Sequence, residues 1–239
     1  MNDLVFWMFW IFMGASIINT LHIGFYLVSA NLYDIQQFKR QSLIRRSNKK
    51  LPKVSIVISA HNEEKVIERT LQSLVKVKYP NLQVVVMDDA STDNTAGVIL
   101  RFAEKHPKFD LTIRYKRQNV GKGRALNSAI QRYAKGDLVM TLDADCVLHP
   151  MAVRNAVRYF EDPTVAGVAA NVRIIREPGV LSLLQVLEHM IGYRSKKAYS
   201  VTNSECIIGG VGSTYRREIL EQVGFYDTDT LTEDIGLSM

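Results

Sequence analysis

The stretch MTLDADCV, residues 140–147, places two aspartates, Asp143 and Asp145, either side of one alanine at the end of an apolar run. On a strand, residues two apart project to the same side, so both carboxylates are expected to face one point. At about 4 Å and an effective dielectric of about 20, two such charges repel by roughly 4 kcal/mol, so a positive partner is expected between them. A divalent cation meets that demand. Magnesium is typically held by one or two carboxylates plus substrate phosphates, so an Asp-x-Asp pair is half a site that a nucleotide diphosphate completes. A solvated surface pair uses the same residues, and the position at the end of VMTL is what favours the ligand site.

Other polar residues gather at similar places. His61, Asn62 and Glu63 follow one apolar run, and Asp88 and Asp89 follow another. Asn62, Glu63 and Asp88 are placed to read a base and ribose by hydrogen bonds. Asn62 with Glu63 and Glu64 is equally a good helix start, and Ser91 to Asp93 would cap the helix after Asp88. RQNVGKGRALN, residues 117–127, sets a glycine loop and Lys122 just before a helix, a natural anion site but neither a phosphate-binding Walker loop nor a dinucleotide fingerprint. Cys146 and Cys206 form no Cys-x-x-Cys or Cys/His cluster, so free thiols are expected and a structural zinc site is not. Cys146 reads as a small buried residue beside a strand end rather than a nucleophile.

These residues need elements to hold them. Short apolar runs alternate with amphipathic stretches from residue 51 onward: VSIVISA, LQVVVMDDA, LTIRYKR and DLVMTLDAD read as strands, and helical patterns follow each. Strand and helix in regular alternation predict an α/β fold, a mostly parallel sheet with helices on both faces. In such sheets ligands bind at the carboxyl ends of the strands, where three separate ends here carry carboxylates.

Residues 4–33 contain no Asp, Glu, Lys or Arg, enough length for one transmembrane helix across a hydrocarbon core of about 30 Å. A secretory signal is disfavoured because MND lacks a basic start and no small-residue cleavage site follows. The next segment carries Lys39, Arg40, Arg45, Arg46, Lys49, Lys50 and Lys53 against Asp34 alone. This predicts a cytoplasmic flank, hence a single-pass protein of the cell (inner) membrane with its catalytic part in the cytoplasm. Without that flank the acidic and basic residues are equal in number, so the net charge of +6 lies beside the membrane. That distribution argues against a nucleic-acid partner and fits either anionic headgroups or a plain topology signal. The expected organisation is a transmembrane helix over 1–34, a basic linker over 35–53 and a folded domain over 54–239.

Together SAHNEE, VVVMDDASTDNT, NVGKGRALN, LDADC and IIGGVGSTYRREILEQVGFYD, leading to LTEDIGLSM, resemble the membrane-bound family 2 glycosyltransferases of the GT-A fold, the group of the poly-N-acetylglucosamine, chitin, hyaluronan and cellulose synthases. The resemblance covers nearly all of the expected cytoplasmic part. It implies an inverting transfer of a sugar, N-acetylglucosamine favoured, from a UDP-sugar to a polysaccharide acceptor. Asn62, Glu63 and Asp88 would contact the uridine, Lys122 the nucleotide, and Asp143 and Asp145 the diphosphate and its Mg or Mn ion. Asp234, in Thr232-Glu233-Asp234, would be the catalytic base; without the resemblance, LTED reads as an acidic helix start. Gly209, Gly210 and Gly212 before Ser213 would admit a sugar acceptor or form a plain tight turn.

The sequence departs from the family at two places. It ends at Met239, before the QxxRW motif and the later membrane helices, so a catalytic domain with an incomplete carboxy-terminal part is expected. His61 stands where the family has tyrosine or proline-tyrosine and reads as a neutral replacement. The alternatives are transfer of one sugar to a lipid or small acceptor, a nucleotide-binding subunit that serves a partner membrane subunit without turnover, and, least favoured, a phosphatase using an aspartyl nucleophile in DADCV. VLSLLQVLEHMIGY, residues 180–193, is expected either at the membrane interface or in the domain core.

Overall fold

The computed structural model of the chain describes residues 3–44, 51–175, 178–202 and 208–228. The element order is α1 (Asp3–Ile44), β1 (Val54–Ala60), α2 (Ile67–Val75), β2 (Leu82–Asp88), α3 (Thr95–Lys105), β3 (Leu111–Tyr115), α4 (Lys122–Tyr133), β4 (Leu138–Asp143), α5 (Ala152–Val157), β5 (Gly167–Val168), α6 (Val180–Val201), β6 (Thr214–Arg216) and α7 (Arg217–Gln222). These elements form two compact units, one built on α1 and α6 and the other on the sheet with the remaining helices.

In the larger unit six strands form one mixed sheet in the order β3-β2-β1-β4-β6-β5. β1 runs parallel to both β2 and β4, and β3 extends the parallel part. β6 pairs antiparallel with β4, and β5 antiparallel with β6. β1 is the hub because VSIVISA is apolar on both sides, as a strand covered on both faces must be. Val54, Ile56, Ile58 and Ala60 face a core completed by Ile67, Leu71 and Leu74 of α2, by Ile99 and Phe102 of α3 and by Val153 of α5. Val57 faces the opposite core, completed by Ala125, Leu126, Ala129 and Ile130 of α4 and by Leu220 of α7. Each fully buried Ile or Leu contributes about 1.5–3 kcal/mol, so these two layers fix the register of β1 between its neighbours.

The register has a direct consequence for the strand ends. Ser59 of β1 lies opposite Met87 of β2 and Asp143 of β4, and Ala60 lies opposite Asp88. Asp88 and Asp143 therefore flank the end of β1, two strand spacings or about 10 Å apart.

The smaller unit differs from the sequence expectation in two respects. α1 continues helical to Ile44, so residues 35–44, expected as linker, extend the apolar helix. The span Asp3–Gln37 is long and apolar enough to cross a membrane, and its most apolar 18-residue window has no buried residue, whereas Ser29 and Ala30 of the same helix are buried. Residues 173–175 and 178–202, expected inside the domain over 54–239, group with α1 instead. The two helices are joined by Tyr26 and Tyr199, whose hydroxyls lie 2.8 Å apart, by Arg194 to Asn31 at 3.1 Å and by Lys197 to Asp34 at 2.7 Å. Core burial of residues 180–193 does not occur. Leu181, Leu184, Leu187, Met190 and Ile191 are all exposed.

Candidate active site

β4 ends at Asp143, and Asp145 lies in the turn beyond it, closed by the Cys146 N–H donating to the Asp143 carbonyl at 3.2 Å. Strand alternation is thus not what brings the two aspartates together; the turn does so. The turn is pinned from below by α2. Thr70 is fully buried and its Oγ1 donates to the Ala144 carbonyl at 2.7 Å. Ser73 Oγ accepts from the Leu148 N–H at 3.0 Å, and Arg69 donates to the Asp145 carbonyl at 3.3 Å. Thr70 and Ser73 were not singled out in the sequence; their signal was polar residues three apart on the apolar face of α2, where a core helix has no other use for a hydroxyl.

One carboxylate oxygen from each of Asp143 and Asp145 and the Cys146 sulfur lie within 4.8 Å of one another. The Cys146 Sγ donates to Asp145 Oδ1 at 3.2 Å. Burial, followed by that hydrogen bond and the two aspartate charges, pushes the thiol up to about 12, so it stays neutral at physiological pH. A neutral thiol is a poor ligand and nucleophile, which leaves two hard carboxylate oxygens as the donor set, the chemistry that Mg and Mn prefer.

Lys122 is the first residue of α4 and its Nζ lies 2.9 Å from Asp143 Oδ1, so the lysine and the metal-type aspartate share one place. Both side chains are partly exposed, and the ion pair contributes little stability by itself. Its value is positional, because it sets an ammonium and two carboxylates together at one strand end. Glu63 adds to the same negative region. Its ionisation is shifted upward by burial first, then by Asp145, Asp93 and Asp143, and His61 opposes the shift.

Asn62 and Asp88 take structural partners as well as a place near the site. Asn62 adopts φ 59°, and its Oδ1 accepts from the Thr92 N–H at 2.8 Å and from the Thr92 hydroxyl at 3.2 Å. It therefore ties the β1 end to the loop before α3 and is not a helix cap: α2 begins at Ile67, preceded by Val66, without a side-chain cap. Asp88 is buried, and its Oδ1 accepts from the Ser91 N–H at 2.8 Å. His61, read from sequence as neutral, makes a bond of its own. Its Nδ1 donates to the Asp89 carbonyl at 2.9 Å, which leaves Nε2 to accept from the Asn62 amide at 3.4 Å.

For the glycines expected either to admit an acceptor or to form a plain turn, the geometry favours a turn packed on β4. Gly210 and Gly212 adopt φ 88° and 77°, values that suit glycine. The Gly212 N–H donates to the Thr141 carbonyl at 2.7 Å and the Ser213 carbonyl accepts from the Thr141 N–H at 3.0 Å, so this turn lies against the last residues of β4. Asn127 of the glycine-loop stretch bonds both the Tyr226 carbonyl, at 2.8 Å, and the Tyr226 N–H, at 2.9 Å. That bracket holds the chain leading toward residue 228. Gly209 is placed at the start of this turn. Asp234, the expected base, and Cys206 lie outside the described residues.

A mixed sheet carrying its acids, a glycine loop and a lysine at the carboxyl ends of adjacent parallel strands defines an α/β nucleotide-binding architecture of the GT-A kind. Residues 55–224 match the profile described as Glycosyl transferase family 2, and the chain belongs to that family. It is 32% identical over 206 residues to the poly-beta-1,6-N-acetyl-D-glucosamine synthase of Staphylococcus epidermidis, covering 84% of this chain and 48% of that one. The synthase of the same description from Staphylococcus aureus strain COL is 31% identical over 188 residues, covering 77% and 44%. The chain thus spans about half the length of these relatives. Among solved structures, the mannosyltransferase PcManGT from Pyrobaculum calidifontis, in complex with GDP-Man and Mn2+, superposes with a TM-score of 0.62 at 27% identity, covering 88% of this chain and 59% of that one. S. aureus TarS 1-349 in complex with UDP superposes with a TM-score of 0.57 at 21% identity, covering 78% and 54%, a likeness of fold.

Proposed function

We propose that this chain transfers a sugar with inversion from a UDP-sugar, N-acetylglucosamine favoured, to a growing polysaccharide at the cytoplasmic face of the cell (inner) membrane. The observation that carries this reading is the meeting of Lys122 with Asp143 and Asp145 at the end of β4, beside Asp88 at the end of β2. The poly-N-acetylglucosamine synthases at 31–32% identity support the donor and the product class. The apolar helix Asp3–Gln37 followed by basic residues supports the membrane placement and its cytoplasmic orientation.

Asp143 and Asp145 would hold a Mg or Mn ion, the metal neutralising charge on the departing diphosphate. Lys122 stands against Asp143 and would meet a diphosphate oxygen there. Asn62, Glu63 and Asp88 would line the uridine side. Asp234 would take the acceptor hydroxyl's proton as that oxygen bonds the anomeric carbon, the bond to UDP breaks on the opposite face, and UDP carries away the electron pair. Asp234 has this role from its motif alone. Incorporation of labelled N-acetylglucosamine by the full chain in detergent, with Mg or Mn, tests the reading. Asp234→Asn is expected to abolish incorporation while retaining UDP binding. Incorporation that survives Asp234→Asn would remove Asp234 from the chemistry, and no incorporation by the unaltered chain would favour a nucleotide-binding subunit that needs a partner.

A second reading keeps the site and changes the donor to GDP-mannose, with a single sugar passed to a lipid or small acceptor. The likeness to PcManGT, a mannosyltransferase holding GDP-Man, is what favours it. The length of the product and the preferred nucleotide separate the two.

A further inference from the structure

We propose that Asp89 is a positioning residue of the nucleotide site, acting through the glycine loop on Lys122. The inference rests on the proposed function for the role of Lys122. Asp89 follows β2 and is 2% exposed. Its carboxylate accepts from two successive backbone amides, Val120 N–H at 3.0 and 3.2 Å and Gly121 N–H at 2.9 Å. Its own N–H donates to the Ala60 carbonyl at 2.8 Å, and its carbonyl accepts from His61 Nδ1 at 2.9 Å. One residue thus fastens the ends of β1 and β2 to the loop before α4.

The loop ends at Gly121, whose φ of 88° turns the chain into α4 so that Lys122 is its first residue. Lys122 then reaches Asp143 at 2.9 Å. The line from Asp89 through Gly121 and Lys122 to Asp143 is continuous, each step a hydrogen bond, a covalent neighbour or an ion pair. A buried carboxylate is costly unless hydrogen bonds compensate it, and the two amides supply that compensation. A neutral side chain could close an ordinary surface loop without that cost. An acid here therefore serves to set the geometry of the first turn of α4, and the substitution of an oxygen by an amide group would place a donor against a donor.

The test compares UDP binding, by calorimetry with Mn, in Asp89→Asn, in Lys122→Met and in the double variant, together with two ligand-free readouts. These are hydrogen exchange at the Val120 and Gly121 amides and the rate of Lys122 acetylation by acetic anhydride, with acetate as the leaving group. We expect Asp89→Asn to weaken UDP binding about tenfold in the lysine protein and by less than about twofold when Lys122 is already Met. Exchange at Val120 and Gly121 should rise with β1 and β2 unchanged, and Lys122 should acetylate faster. Equal loss of affinity in both backgrounds, or unchanged acetylation, overturns the proposal. If the unaltered chain binds no UDP, the functional reading fails separately, and exchange and acetylation still decide whether Asp89 positions Lys122. Should Asp89→Asn not fold, Gly121→Ala strains the same joint through its backbone, since an added Cβ meets no atom within 4 Å. It must then reproduce the faster acetylation, and failure to do so counts against the proposal.

Discussion

Replacing Thr70 by valine keeps the shape of a fully buried side chain and deletes one donor. In the native protein its Oγ1 reaches the Ala144 carbonyl at 2.7 Å, and Ala144 is itself 4% exposed, so no solvent replaces the lost bond. Leaving a buried acceptor unsatisfied costs about 1–3 kcal/mol. For a chain of this size each kcal/mol lowers Tm by about 2–4 °C, so the expected fall is about 2–12 °C. Ala144 sits between Asp143 and Asp145, so the same change loosens the aspartate pair, and Mn-dependent UDP binding should weaken by about tenfold beyond any effect on folding. Thermal unfolding and calorimetry on one preparation measure both. A Thr70→Val protein with unchanged Tm and unchanged UDP affinity would refute the claim that α2 holds the turn in place.

Gly136→Ala should destabilise the fold by about 1–3 kcal/mol by urea unfolding, because its Cβ would lie 2.5 Å from the Ser55 nitrogen and 2.7 Å from the Leu138 carbonyl oxygen. Cys146 should alkylate at pH 8 roughly a hundredfold or more slowly than an ordinary cysteine, read by mass spectrometry, since burial and Asp145 keep its thiol protonated. Burial and the neighbouring acids raise the Glu63 ionisation, so the metal-free folded state retains that proton to higher pH than the unfolded chain. Stability therefore falls as pH rises through the glutamate range from about 4 upward, and Glu63→Gln should flatten that part of the urea-midpoint profile.

The parallel half of the sheet was legible because VSIVISA, LQVVVMD and LVMTLD are continuous apolar runs, the pattern of strands covered on both faces. α4 was equally clear from Ala125, Leu126, Ala129 and Ile130. What escaped depends on partners distant in sequence. Asn62 looked like a helix cap because its neighbours are acidic, yet its side-chain carbonyl is used by Thr92 across the loop, so α2 starts later. β5 and β6 span two and three residues, too short for any periodicity to register. The pairing of α6 with α1 rests on contacts such as Lys197 with Asp34, which no local pattern announces. At the site, Asp143 and Asp145 were legible from type and spacing and Lys122 through the family resemblance, and the structure brings the three side chains together. Asp89 was hidden beside Asp88: two adjacent acids after a strand look alike in sequence, and only the amides of Val120 and Gly121 separate their roles.

The most direct measurement is calorimetric titration of the full chain in detergent with UDP-N-acetylglucosamine, with and without Mn, beside GDP-mannose and an Asp145→Asn variant. The uridine donor is expected to bind only with metal and not to the variant, and GDP-mannose is expected to bind weakly or not at all. Folded protein that binds neither nucleotide sugar, or binds UDP-N-acetylglucosamine equally well without metal and without the Asp145 carboxylate, would contradict the assignment of the β4 end as the donor site.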